Sequence, residues 1–144
     1  MKHKIFKIIL RFLLGIIISF ANSLNVLSDE IIHKIIDDST IVLLLDTYNG
    51  HGLAEQRRIF IKLINAKIDV PVIIGRYYGN LTPSDLQLYS STDIGGLFID
   101  GLGDGLYLAA ENSGSLDDVN RISFGVLQAT RTRITKTEYI SCPS

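Results

Sequence analysis

A single cysteine, Cys142, stands third from the end of the 144-residue sequence. One cysteine builds no disulfide within the chain and no metal site by its own thiolate alone. The charges nearly cancel: 14 basic residues against 15 acidic ones leave a formal net charge of −1. Bulk charge therefore does not point to nucleic acid, and the expected partners exclude it. The basic residues are scattered except for Arg131, Arg133 and Lys136 near the end. A run of the roughly 20 apolar residues that a membrane span requires is also missing. The longest candidate, Phe12 to Ala21, falls well short of that. No low-complexity tract and no linker-like stretch appears before Gly114.

Apolar residues are plentiful, at 47%. This is enough for a packed core and argues against global disorder. The length leaves room for one domain or part of a larger one.

Residues 1–27 form an apolar leader. Lys2, Lys4, Lys7 and Arg11 precede the run Phe12 to Ala21, which ends in Ser19-Phe20-Ala21. A basic head, a short apolar stretch and a small residue resemble a secretory signal. A buried amphipathic helix and a mis-assigned start ahead of a genuine domain are the other two readings.

From Ser28 the pattern becomes regular. Ser28 caps an expected helix over Asp29 to Asp38, with Ile31, Ile32, Ile35 and Ile36 on one face. Thr40 to Leu45 is a nearly continuous apolar run of the kind that suits a strand in a parallel sheet. Asp46 to Gly52 reads as a turn-rich loop, and Leu53 to Lys67 as a helix. A second strand is expected over Val70 to Ile74, with Pro71 near its start. Thr82-Pro83-Ser84-Asp85 carries a capping threonine, a first-turn proline and an early acid, and so starts a helix. Leu97-Phe98-Ile99 is expected as a third strand, Leu106 to Ala110 as a short extended segment, and Ser115 to Thr130 as a helix. An extended Glu138 to Ser141 follows. Such alternation predicts an α/β fold with a mostly parallel sheet, forming part of a barrel rather than a closed one.

Loops that follow strands carry the sites of α/β folds. In Asp46 to Gly52, His51 is a candidate general base with Asp46 to orient it, set against a plain polar turn. In Gly75 to Gly79, Arg76 is a candidate phosphate ligand, set against a stem packed between Tyr77 and Tyr78. Asp100-Gly101-Leu102-Gly103-Asp104-Gly105 fails as a calcium loop because Leu102 stands where an oxygen ligand is required. It fails as a dinucleotide fingerprint because its third glycine comes one residue early. An acid–base pair of Asp100 and Asp104 and a tight structural turn both remain. In the tail, Cys142-Pro143 follows an expected strand, and a thiolate exposed in such a turn suits a metal ligand. A 4Fe-4S cluster normally takes four protein ligands, so the others would lie outside this chain.

Read together, LFIDGLGDG, SFGVLQATR and KTEYISCPS, in that order, resemble the 4-hydroxy-3-methylbut-2-enyl diphosphate synthases, the IspG family. STIVLLLDTYNG and VPVIIGRYYG add a weaker likeness. The resemblance favours the long form of that family. In that form an inserted barrel-like domain separates a catalytic barrel from an iron–sulfur domain. It implies that residues 28–135 are part of the inserted domain and that residues 136–144 open the cluster domain. Cys142 is then the first cysteine of a Cys-Pro-x-Cys pair and a ligand of a 4Fe-4S cluster. The implied reaction is the reductive dehydroxylation of 2-C-methyl-D-erythritol 2,4-cyclodiphosphate in the methylerythritol phosphate route to isoprenoids, with ferredoxin or flavodoxin as electron donor.

The family's substrate ligands belong to the first barrel, so Arg76, Arg131, Arg133 and Lys136 are not assigned to substrate, and no catalytic residue is expected here. The expectation is a fragment inactive alone, whose partners are the missing barrel and cluster segments or a second copy. The expected compartment is the cytoplasm, where thiols stay reduced. The basic leader does not match this family, which favours a mis-assigned start over an export signal. The alternatives are an accessory subunit of a split enzyme and a membrane-anchored or exported binding module. An open sheet with missing neighbours is further expected to be marginally stable.

Overall fold

A computed structural model describes residues 17–21, 40–50, 52–134 and 137. The expected helix 29–38, the extended segment 138–141, His51, Lys136 and Cys142 lie outside the described residues.

Four strands form one sheet in the order β1-β2-β3-β4. They are β1 (Ile17–Ala21), β2 (Val42–Thr47), β3 (Val72–Gly79) and β4 (Gly105–Glu111). Every neighbouring pair runs parallel, with Ile17 opposite Val42, Leu43 opposite Val72, and Ile73 opposite Gly105. The end of the apolar leader thus lies in the sheet, and β1 is its outer strand. Helix α1 (Gly52–Asn65) links β2 to β3. Helix α2 (Pro83–Ser90), a π-helical turn (Ser91–Gly95) and the short α3 (Gly96–Ile99) link β3 to β4. Helix α4 (Leu116–Ala129) follows β4.

The register sorts the side chains. Alternate residues of a strand point to opposite faces. Leu43 and Leu45 of β2, Val72 and Ile74 of β3, and Leu106 and Leu108 of β4 therefore share one face. They pack with Phe60 and Leu63 of α1, Ile94 of the π turn, Leu97 and Phe98 of α3, and Val126 of α4. Leu86 of α2 joins Val119 and Ile122 of α4 above Leu108 and Ala110. All four helices thus cover the same face. Among the described residues this is the layout of a (β/α) barrel segment, whereas a doubly wound sheet carries helices on both faces. The α/β, partial barrel-like expectation holds.

Two boundaries differ from the sequence reading. Leu97-Phe98-Ile99, expected as a strand, is helical. Ile94, Leu97 and Phe98 fall at i, i+3 and i+4, so one turn of helix buries all three, at 0%, 0% and 5% exposure. The strand that follows β3 is instead β4, at the segment expected to be merely extended. Strand β3 also starts after Pro71 and runs on through Gly79, so Arg76, Tyr77 and Tyr78 stand on a strand and not in a loop. Pro71 lacks an N–H but still accepts a hydrogen bond from the Leu43 N–H at 2.9 Å.

The helix starts follow the capping signals. The Thr82 hydroxyl accepts from the Asp85 N–H at the head of α2, with Pro83 in the first turn. At α4, Ser115 and Asp118 form a reciprocal capping box. The Ser115 hydroxyl donates to the Asp118 carboxylate at 2.8 Å and the Ser115 N–H donates at 3.1 Å, and these bonds, with Arg121 beside them, hold the carboxyl below its ordinary range. A depressed carboxyl contributes stability above its unfolded pKa and loses it as pH falls through the lower folded value. Ser115→Ala is therefore expected to cost about 1 kcal/mol in urea unfolding at neutral pH. Asp118→Asn should flatten the acid limb of the stability–pH curve, measured by thermal unfolding from neutral pH downward.

Candidate functional site

The carboxyl ends of β2 and β3, where α/β folds place their chemistry, gather Asp46, Thr47, Tyr48, Asn49, Arg76, Tyr77 and Tyr78. Arg76 organises this end. Its residue is 5% exposed. Nη2 donates to Asp93 Oδ2 at 2.6 Å, and Nη1 donates to the Asn49 carbonyl at 2.9 Å and the Thr47 carbonyl at 3.4 Å. The Tyr78 hydroxyl donates to the same Asp93 oxygen at 2.7 Å, and the guanidinium lies 5.5 Å from the Tyr78 ring centre. Burial works against the Arg76 charge, but the bonds to Tyr78 and Asp93 outweigh it and hold its pKa above the ordinary arginine value. Burial pushes the Tyr78 phenol up, so it stays protonated and keeps donating. The guanidinium is thus committed to clamping the β2 loop and the π turn onto β3, and the phosphate-ligand reading of Arg76 gives way to a structural one.

Neighbouring groups fit the same clamp. Gln56, fully buried on α1, donates its Nε2 to the Leu45 carbonyl at 2.8 Å and the Gly75 carbonyl at 3.0 Å, so it bridges β2 and β3. The Thr47 hydroxyl donates to Glu55 at 2.5 Å and accepts from the Asn49 N–H at 3.1 Å. Gly52 opens α1 where a Cβ would stand 1.9 Å from Arg76 Nη1. No other residue fits there while the guanidinium keeps its partners.

On the opposite face of the sheet, Tyr48 stacks on Tyr77 with ring centres 4.7 Å apart, and Tyr77 meets Tyr107 edge-on at 5.8 Å. Burial, then the negative charge of Asp46, raises the Tyr77 phenol, which stays neutral. Asp46 is 5% exposed beneath this row. Its proposed partner His51 lies outside the described residues.

The Asp100–Asp104 loop sits at the other end of the sheet. Because residues 97–99 are helical, the loop precedes a strand and does not follow one. Asp104 Oδ2 accepts from the Val72 N–H at 2.8 Å, and the Asp104 N–H donates to the Val72 carbonyl at 2.8 Å. Asp100 pairs with Arg57. The two carboxylates therefore hold separate partners at the amino ends of the strands, and the acid–base pair gives way to a structural turn. Gly103, at φ +87°, lies where a Cβ would meet Ile74 Cδ1 at 2.6 Å. Arg133 rests over Phe124 of α4 at 5.4 Å.

Gln56 and Asp93 were not foreseen in the sequence. Asp93 lies in the unremarkable STDIG, and only the fold reveals its contact with a residue 17 positions away. Among the described residues, no group of three or more His, Cys, Asp or Glu side chains could hold a metal.

Comparison with known proteins decides the family. No family model and no solved structure matches the chain. A curated protein of Parabacteroides distasonis, "4-hydroxy-3-methylbut-2-en-1-yl diphosphate synthase (flavodoxin)", is 46% identical over 118 residues, which cover 82% of this chain and 19% of that protein. The chain is a segment of this synthase family. The protein of the same name from Porphyromonas gingivalis is 40% identical over 118 residues, 82% of this chain and 20% of that protein. The Arabidopsis thaliana "4-hydroxy-3-methylbut-2-en-1-yl diphosphate synthase (ferredoxin), chloroplastic" is 40% identical over 89 residues, 61% of this chain and 12% of that protein. The chain spans about a fifth of the length of the first two synthases.

Breaking the buried pair leaves an uncompensated charge, at a cost of about 3–5 kcal/mol. Arg76→Ala is expected to lose about that much in urea unfolding. The double replacement Arg76→Met with Asp93→Leu should cost less than Arg76→Ala alone. Gly52→Ala should resemble Arg76→Ala, since it displaces the same guanidinium.

Proposed function

We propose that this chain is a scaffold segment of a 4-hydroxy-3-methylbut-2-en-1-yl diphosphate synthase and is catalytically inactive alone. It contributes part of the inserted barrel-like domain and, through Cys142, one thiolate to a 4Fe-4S cluster whose other ligands lie outside residues 1–144. One thiolate fits such a site only as one ligand among several. When bound, the cluster would deliver the electrons for reductive opening of the cyclic diphosphate. Flavodoxin or ferredoxin, which the relatives' names carry, would supply them.

The observation that carries this reading is 46% identity confined to about a fifth of the relative. The closed pairing of Arg76, Asp93, Asp100 and Asp104 supports a scaffold role, because each polar group holds another part of the fold. Parallel pairing of β1 with β2 supports retention of residues 17–21 in the folded chain rather than removal after Ala21. It thereby favours a cytoplasmic protein, in which Cys142 stays reduced.

The purified chain, treated anaerobically with iron and sulfide, is expected to hold no stable cluster and to form no product from the cyclic diphosphate. A brown protein with the absorbance of a 4Fe-4S centre, turning over substrate, would overturn the proposal. N-terminal sequencing should find Met1 intact.

A further inference from the structure

Of the chain's asparagines, Asn49 alone is followed by a glycine. The pair lies in the loop between β2 and α1, and both residues are exposed. Asparagine is chemically labile because the main-chain nitrogen of the next residue can attack its side-chain amide carbon and close a succinimide ring. A side chain on that next residue obstructs the approach, and glycine has none. The space around Gly50 is open, since a Cβ there would meet nothing within 4 Å. Asn112 makes a contrast: the following Ser113 is fully buried, and its hydroxyl accepts from the Leu81 N–H at 3.0 Å.

The fold also holds the main chain of Asn49. Its N–H donates to the Thr47 hydroxyl at 3.1 Å, and its carbonyl accepts from Arg76 Nη1 at 2.9 Å. That carbonyl is one of the two that the succinimide would contain. Its donor is a guanidinium, which keeps its charge in proteins. A donor fixed on a carbonyl oxygen stabilises the oxyanion that forms when water adds to the carbon.

We infer that Asn49 is a site of spontaneous deamidation and that Arg76 steers its product to the isoaspartyl form. The atoms balance without an oxidant or a cofactor. The Gly50 nitrogen bonds to Asn49 Cγ, the Cγ–Nδ2 bond breaks, and ammonia leaves with the Gly50 proton. Water then adds to the main-chain carbonyl carbon of residue 49, and the bond from that carbon to the Gly50 nitrogen breaks. The nitrogen keeps its new bond to Cγ and takes one proton from the water, and ammonia takes the other. The former main-chain carbonyl becomes a carboxylate, and its oxygen is the one that Arg76 already holds. Hydrogen bonds between charged groups are about twice as strong as neutral ones. Attack at Cγ instead gives ordinary aspartate and leaves Arg76 on a neutral carbonyl. The inference is independent of the family reading.

The test ages the full 144-residue chain at mildly alkaline pH, folded and, in parallel, unfolded in urea, beside a free peptide of Asp46 to Leu53. Peptide mapping is expected to find Asn49 converted in the folded chain and Asn112 intact. The ratio of isoaspartyl to aspartyl product should be several-fold higher in the folded chain than in the unfolded chain and the peptide. An isoaspartyl-directed methyltransferase, used as a reagent, should label the aged folded chain. Gly50→Ala should leave the melting temperature equal or higher and slow the conversion several-fold. The double replacement Arg76→Met with Asp93→Leu, read on folded protein, should return the product ratio to that of the peptide. An Asn49 still intact once the peptide has fully converted would overturn the inference. So would equal ratios in folded and unfolded chain, a Gly50→Ala chain that converts as fast, or a double variant that keeps the folded ratio.

Discussion

The parallel ladder from β1 to β4 is the constraint on which the rest of this structure depends. Parallel strands cannot be joined by tight hairpins, so each connection must travel back along the sheet and cover it. Helix α1 does this between β2 and β3, and α2 with the π turn and α3 does it between β3 and β4. Because these two connections lie on one face, the core forms there, around Leu43, Leu45, Val72, Ile74, Phe60, Leu63, Ile94 and Leu97. The other face carries Leu44, Ile73 and the tyrosine row, as the inside of a barrel would.

Among the described residues the helices lie on one face, and the loops at the two ends of the sheet are fixed by polar contacts. At the carboxyl end, Arg76 does this by joining the β2 loop, β3 and the π turn, with the Tyr78 hydroxyl donating to the same Asp93 carboxylate. At the amino end, Asp104 fastens the loop before β4 to the start of β3. A residue set that looks chemically active in one dimension therefore serves cohesion in three. This agrees with the scaffold role proposed for a chain that spans about a fifth of its relatives' length.

The sequence made much of the fold legible. The unbroken apolar run over 41–45, the capped starts at Thr82 and Ser115, and the strand–helix spacing all reported local preferences that packing left intact. Leu97 to Ile99 misled because a short apolar run has no period of its own. The deciding fact was that Ile94, three residues earlier, needed to be buried beside it. That single reassignment moved the Asp100–Asp104 loop to the opposite end of the sheet and removed its candidate chemistry.

The sequence by itself determined the α/β class, the parallel character of the sheet and the family, because these depend on hydrophobic period, caps and ordered motifs that are read along the chain. Only the tertiary structure decided what the polar residues do. Whether Arg76 meets a phosphate or Asp93, and whether Asp100 and Asp104 face each other or separate partners, depends on distances between residues far apart in the chain. Those distances exist only once the strands are in register.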